Sequence, residues 1–447
     1  MARRLLRTLT GTGGVVWRML VQPMRILVVG SGAREHAVVW KCLRSPLAER
    51  VYVAPGNGGT AVIARNVAIQ ADDAPRLARM ARREKIGLAI LGPEASIAAG
   101  VGDALRDADI PVFGPSRDAG RIEVSKAFAK EVMLAAGIPT APFDIFTDAE
   151  PARRYARRLG GRVAVKADGL ALGKGVIVCA NQQEAEEAID AMLVRHSFGR
   201  AGATVVVEER LEGHEVSVFG LCDGSRVVPL AAARDFKRAH EGDLGPNTGG
   251  MGAYSPPIGV SDELVSRATE IVLRPALLEL ANRGLDYRGV LYAGLMLTSE
   301  GIKVLEFNAR FGDPETQVVL PRLKSDLVPL LLAAAMGHLP WRRPRMDWSE
   351  HPAVGVVVAS GGYPDGYQTG FEIQGLNNIP EGVLVFHAGT RLVPNRGLVT
   401  SGGRVLTAVG MGADFDQARM GALSGAVRVR FPGAFFRKDI AQEAVSG

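Results

Sequence analysis

Two extended runs separated by Ser299-Glu300-Gly301 leave residues 292–315, YAGLMLTSEGIKVLEFNARFGDPE, with one economical conformation, a β-hairpin. Side chains alternate along a strand, so Glu306, Asn308 and Arg310 are expected on one face, and Leu305, Phe307 and Ala309 on the other. The first set carries chemistry and the second reads as core. A carboxylate and an amide oxygen two residues apart are hard oxygen donors of the kind Mg²⁺ takes, and a neighbouring guanidinium suits a phosphate or a carboxylate. A solvated surface strand can also carry such residues. This one, however, ends at once in Phe311-Gly312-Asp313-Pro314-Glu315, a tight turn lined with acids.

One hairpin cannot fold alone, and 447 residues exceed what a single core serves, so about three domains are expected around it. From Met24 the pattern is strand, glycine turn, helix: residues 25–30 (RILVVG), then Ser31 to His36, then AVVWKCL. In a dinucleotide-binding turn a third glycine would follow, but here that position is Glu35, and the next strand, 51–53, ends without an acid to hold a ribose. The helix N-terminus and a second loop, 56–60, still offer backbone donors that suit a phosphate. Strands at 88–91 and 111–113 alternate with helices and complete a small parallel sheet over about 24–120.

Ser125 reads as a helix N-cap, with Lys126 and Lys130 one turn apart on the same side and Gly137 as the stop. Residues 163–179, VAVKADGLALGKGVIVC, give a strand carrying Lys166, a glycine-rich loop and a second strand. The spacing is wrong for a P-loop, since three residues separate Gly169 from Gly173 and Lys174 is followed by Gly175. A flexible hairpin lid over phosphates fits better, with Lys166 as a fixed charge. The strand TVVVEERL, 204–211, then leaves into a linker whose backbone groups can read an adenine edge. Residues 233–256 form a polar, glycine-rich stretch too long for a routine connection and are expected to be functional. The last hundred residues give strands at 354–359, 383–390 and 404–410 and a helix from Asp414 with Gln417 completing a capping box. They show no ionisable cluster and read as mainly structural.

Composition narrows the partners. With 47% apolar and 22% charged residues the chain is neither disordered nor fibrous, and no apolar run has membrane-spanning length. Cys42, Cys179 and Cys222 have no paired or metal-ligand spacing, which fits a reducing cytoplasm. The net charge of +6 comes from arginines scattered along helices, so anionic small substrates are expected and nucleic acid is not. Residues 1–23 carry four arginines and no acid, but lack a secretory apolar region, and a chain starting at Met24 is expected to remain active.

The order and spacing of 30–36, 54–60, Ser125-Lys126, 166–175, GPNTGGMG at 245–252 and 307–315 resemble the glycinamide ribonucleotide synthetase family of ATP-grasp enzymes, from Met24 to about Ile440. The resemblance implies a multidomain α/β and α+β fold. Its parts would be an extension (1–23), an N-terminal parallel α/β domain (24–124), an ATP-grasp domain (125–340) with a mobile β-hairpin lid subdomain (about 147–215), and a small C-terminal α+β domain (353–440).

It also implies ATP-dependent ligation of glycine to 5-phosphoribosylamine through glycyl phosphate, with Mg²⁺ or Mn²⁺, in the cytoplasm and as a monomer. Carried over by position, Lys126 and Lys166 match ATP-phosphate lysines, and Gly173 and Lys174 lie in the lid. Glu208 and Leu211 match the adenine hinge, Glu215 a ribose acceptor, and Glu306 and Asn308 the metal ligands. Arg310 and Asp313 would meet substrate, with Asp235 and Lys237 opposite, and the first-domain loops would hold the phosphoribosyl group. Two positions depart from the family pattern, with Phe236 where a histidine is usual and Ala309 before the arginine. Two rival readings are a ligase of another carboxylate on the same fold and a nucleotide-binding regulator without activity. The metal-bearing face argues against the second.

Overall fold

The computed structural model describes residues 22–169, 175–339 and 346–446. Its first sheet is parallel, with strands in the order Arg65–Asn66, Ala48–Pro55, Met24–Gly30, Ile86–Leu91 and Val112–Phe113. The apolar alternation of these strands feeds two cores. Leu27, Val29, Tyr52, Ala54, Ala89 and Leu91 face one layer, and Ile26, Val28, Val51, Val53, Leu88 and Ile90 face the other. Both layers continue past the domain. The first takes in Val216, Leu291, Val304 and Phe307, and the second takes in Phe311, Val318 and the helix Leu327–Ala335. The parallel sheet and the hairpin strands are thus cemented by shared cores, which fixes the ends of the parallel strands against the chemical strand.

The expected hairpin is present. Arg288–Thr298 and Gly301–Asn308 pair antiparallel across a two-residue turn, inside a four-stranded sheet with His214–Asp223 and Val227–Pro229. The alternation expected along it is correct from Glu306 onward and wrong before it. Gly294 pairs with Glu306 but Leu295 pairs with Val304, so Leu305 is an extra residue. Such a bulge shifts the facing of the chain by one position. Val304 therefore enters the core with Phe307, and Leu305 stays half-buried outside it.

A separate four-stranded sheet runs Phe143–Phe146, Val205–Glu209, Val163–Ala167, Val176–Val178. It has its own core with the helices Ala149–Arg158 and Gln182–Ile189, built from Ala152, Ala156, Val163, Val165, Ala185, Ile189, Val205 and Val207. A body with its own core can move as a unit, which suits a lid. Gly173 and Lys174, at the tip of the expected lid loop, lie outside the described residues.

The last sheet crosses the expected boundary. Its order is Arg234–Asp235, Gly252–Ser255, Ala353–Ala359, Arg404–Met411, Leu384–His387, so the glycine-rich stretch of the middle region contributes two strands. The single strand expected over 383–390 is two, Leu384–His387 and Thr390–Val393, the second pairing with Gly397–Thr400. The break falls at Gly389, where a Cβ would lie 2.6 Å from the Gly402 backbone. The helix Phe415–Arg428 begins as expected, with Asp414 accepting from the Gln417 backbone. All three cysteines are free and buried, and no helix among the described residues is long and apolar enough to cross a membrane.

Candidate active site

Residues 306–310 leave the hairpin along a line of charged neighbours. Lys126 begins the helix Lys126–Ala135, whose N-cap Ser125 accepts from the Phe128 backbone, and its Nζ lies 3.6 Å from Glu306 Oε2. Burial pushes the Glu306 carboxyl upward, but Lys126, Lys237, Lys166 and Arg310 together hold it down to about 2, so it is ionised. Asn308 is buried, and its amide takes no hydrogen bond from the protein among the described residues. An ionised carboxylate and an unengaged amide oxygen on one strand face are a donor set that fits a divalent cation. Among the described residues no three His, Cys, Asp or Glu side chains are grouped as a cage. An octahedral ion held by one or two protein oxygens and completed by phosphates needs no such cage.

Lys166 stands on its strand as expected. Its Nζ donates to Leu305 O at 2.8 Å and pairs with Glu208 Oε1 at 2.5 Å. Glu208, expected only as a hinge residue, is buried between Lys166 and Lys130. Leu211 follows just beyond that strand, half-buried, and its backbone N–H meets no protein acceptor among the described residues. Glu215 pairs with Lys237 at 2.5 Å, and Lys237 lies 3.6 Å from Asp235. Burial, helped by Glu315, Glu215 and Glu306 against the pull of Lys237, pushes Asp235 up to about 7. Phe236, between them in sequence, points the other way, into the C-terminal core against Tyr254 and beneath the Arg437 guanidinium at 5.2 Å.

The far end of the strand collects residues from all three sequence regions. Arg310 pairs with Glu123 at 3.0 Å and Glu94 at 3.4 Å, and Glu123 also accepts from the Ala309 backbone at 2.8 Å. Burial pushes Glu94 upward, but Arg310 and Arg34 bring it down to about 2. Asp313 accepts from Gln317 at 2.7 Å and lies 3.4 Å from Arg404, a residue of the last sheet. Arg404 also donates to the carbonyls of Gly249 and Asp313. The glycine pair allows this approach. A Cβ on Gly249 would lie 3.0 Å from Arg404, and Gly250, at φ +109°, leaves room for Pro314.

Sequence reasoning missed Glu94, Glu123 and Arg404. Glu94 follows a strand-ending Gly-Pro, a signal that was available, whereas Arg404 lies in a strand with ordinary alternation and gave none.

Of the two first-domain loops, the second is not the open phosphate cradle its composition suggests. In the first, Gly32 N donates to Glu35 Oε2, while the backbone N–H groups of Ala33, Arg34 and Glu35 meet no protein acceptor among the described residues. In the second loop Gly58 N donates to Thr390 O at 3.0 Å, Gly59 N and Thr60 N donate to Asn57 Oδ1, and Asn57 N donates to Thr60 Oγ1. That loop is a joint to the last domain. His36 completes it, with its Nδ1 accepting from the His387 backbone at 2.9 Å.

Models of the phosphoribosylglycinamide synthetase N, ATP-grasp and C domains match residues 24–123, 124–316 and 353–443. A phosphoribosylamine–glycine ligase of Allochromatium vinosum is 50% identical, the match covering 95% of this chain and 99% of the relative. One from Salmonella typhimurium is 48% identical over 94% and 99%. The crystal structure of the Thermotoga maritima phosphoribosylamine–glycine ligase superposes with a TM-score of 0.80 at 32% identity, covering 93% of this chain and all of that one. A biotin carboxylase from Campylobacter jejuni, with TM-score 0.74 at 15% identity over 96% of both chains, shares the fold. Three consecutive domain models and near-full-length relatives agree: the chain belongs to the phosphoribosylglycinamide synthetase family.

Proposed function

We propose that this chain ligates glycine to 5-phosphoribosylamine with ATP, giving glycinamide ribonucleotide, ADP and phosphate. The observation that carries the reading is the pair Glu306 and Asn308 on one strand face, followed just past the strand by Arg310, with Lys126 beside Glu306 and Asp313 beyond Arg310. A carboxylate is a poor acceptor for an amine because it would have to expel oxide. Attack of a glycine carboxylate oxygen on the γ-phosphorus, with ADP leaving, gives an acyl phosphate. The amine of phosphoribosylamine then adds to its carbonyl, phosphate leaves with the bonding pair, and the nitrogen sheds a proton.

The side chains supply position and charge. Lys126 and Lys166 neutralise the ATP phosphates. Glu208 and Leu211 flank the adenine, and Glu215 accepts from the ribose hydroxyls, exchanging its contact with Lys237. Glu306 and Asn308 would hold Mg²⁺ or Mn²⁺, which would supply charge neutralisation at the phosphate oxygens. Arg310 and Asp313 orient the substrates. Asp235, pushed up to about 7, is suited to take the amine's proton, and Lys237 balances its carboxylate charge until that proton arrives.

Division into domains at 24–124, 125–340 and 353–440, with the lid at about 147–215, belongs to the same reading, as do a monomeric state and a cytoplasmic setting. Phosphate release from ATP tests it. Turnover should require glycine and phosphoribosylamine together and yield ADP. Turnover with another carboxylic acid in place of glycine at equal or better kcat/KM would reassign the substrate.

A further inference from the structure

Glu208 is 2% exposed and divides its carboxylate between two lysines from different elements. Oε1 pairs with Lys166 of the strand Val163–Ala167, and Oε2 with Lys130 of the helix Lys126–Ala135. Both ammonium groups are also tied to the bulged strand just before Glu306. Lys166 donates directly to Leu305 O at 2.8 Å. Lys130 donates to Thr140 Oγ1 at 2.6 Å, and Thr140 donates to Val304 O at 2.7 Å. The two carbonyls are adjacent and flank the extra residue that turns Glu306 toward the site.

The charge count gives this arrangement a purpose. Among the groups in direct contact, one carboxylate between two buried ammonium groups leaves an excess of positive charge, which Glu306 offsets only in part because Lys126, Lys237 and Arg310 also act on it. A single lysine would have its charge cancelled by Glu208. The second lysine engages the other oxygen and leaves Lys166 with charge to offer. Burial and Lys166 pull Lys130 down to about 8, against the upward pull of Glu208, so it remains mostly protonated at neutral pH.

We infer that Lys130 is a positioning residue for ATP binding, acting through Glu208 to keep Lys166 placed and electropositive toward the nucleotide phosphates. The inference rests on Lys166 being an ATP-phosphate lysine, and the experiment separates the two. ATP dissociation constants would be measured by calorimetry without glycine for wild type, Lys130→Met, Lys166→Met and the double variant, with thermal unfolding run in parallel. Thr140→Val, which removes the Lys130 acceptor but keeps the charge, serves as a milder variant should Lys130→Met fold poorly.

The expected result is a weakening of about tenfold or more for Lys166→Met, about tenfold for Lys130→Met and a smaller one for Thr140→Val. In the Lys166→Met background Thr140→Val should add less than twofold, because the neutral Lys130–Glu208 pair then has nothing to position, whereas Lys130→Met there strands Glu208 as a lone buried carboxylate and is read for folding only. If Lys166→Met left ATP binding unchanged, both readings would fall. If Lys166→Met weakened binding but the Lys130 and Thr140 substitutions did not, or if Thr140→Val weakened it equally in both backgrounds, Lys130 would be structural and the inference wrong.

Discussion

Arg404 Nη2 lies 3.4 Å from Asp313 Oδ2, and the same guanidinium donates to Asp313 O at 2.9 Å. A residue of the last sheet therefore fixes the acid that follows the chemical strand. The terminal domain, which the sequence marks as mainly structural, contributes a side chain to the site's wall. Burial pushes the Asp313 carboxyl upward, but Arg404 and then Arg34 hold it below the usual range, so the acid is presented ionised.

Arg404→Met should lower kcat/KM by about ten- to a hundredfold, the loss expected when a charge-assisted hydrogen bond is removed. The guanidinium is partly exposed, so the unfolding temperature should move little. Steady-state kinetics with each substrate varied, alongside thermal unfolding, checks this. A large drop in stability with unchanged kinetics in the folded fraction would make Arg404 a simple domain fastener.

Phe236, at a position where the family resemblance implies a histidine, is 5% exposed within the terminal core. Its neighbours Asp235 and Lys237 face the site instead. Phe236→His should leave turnover within about twofold while lowering stability, and Phe236→Ala should cost about 3–5 kcal/mol. A gain in kcat for the histidine variant would mean that the ring reaches substrate.

The bulge at Leu305 makes the two faces of the next residues separable. Glu306→Gln and Asn308→Ala should each cost on the order of 10²–10³ in rate with folding retained. Phe307→Ala, from a fully buried position, should cost about 3–5 kcal/mol and leave the metal dependence of the surviving protein unchanged. Mg²⁺ titrations of turnover and unfolding curves for all three variants measure the alternation. Unchanged metal dependence in Asn308→Ala would break the assignment.

The joint between the first and last domains should loosen in acid. Burial first, and His387 beside it, pull His36 down to about 3, and burial pulls His387 down to about 4. An unfolded histidine titrates near 6.5, so between that value and about 4 the unfolded chain binds more protons and stability falls as pH falls. Going from pH 6.5 to 5, His36 alone should remove about 1–2 kcal/mol. Unfolding in denaturant at the two pH values, compared with His36→Asn, checks the slope. The variant should show less of it.

The sequence made the hairpin, the parallel sheet and the lysine-bearing strand legible because each rests on local signals: alternation, glycine turns and caps. It failed where the outcome depended on a partner. The bulge at Leu305 follows from how Gly294 and Leu295 register against it, which no single-strand pattern reveals. The loop at 56–60 has the composition of an anion site, but its donors were claimed by Asn57 and by Thr390, some 330 residues away. Arg404 and Glu123 became site neighbours only through domain packing, so nothing in their own surroundings marked them.

The central claim is that glycine is activated as an acyl phosphate before the amine attacks, and an oxygen-isotope measurement tests it most directly. With glycine labelled in both carboxylate oxygens by ¹⁸O, the attacking oxygen must leave with phosphorus when the amide forms. We expect every inorganic phosphate released in step with product to carry one ¹⁸O, with ADP unlabelled. Unlabelled phosphate, or release of pyrophosphate and AMP, would contradict the account.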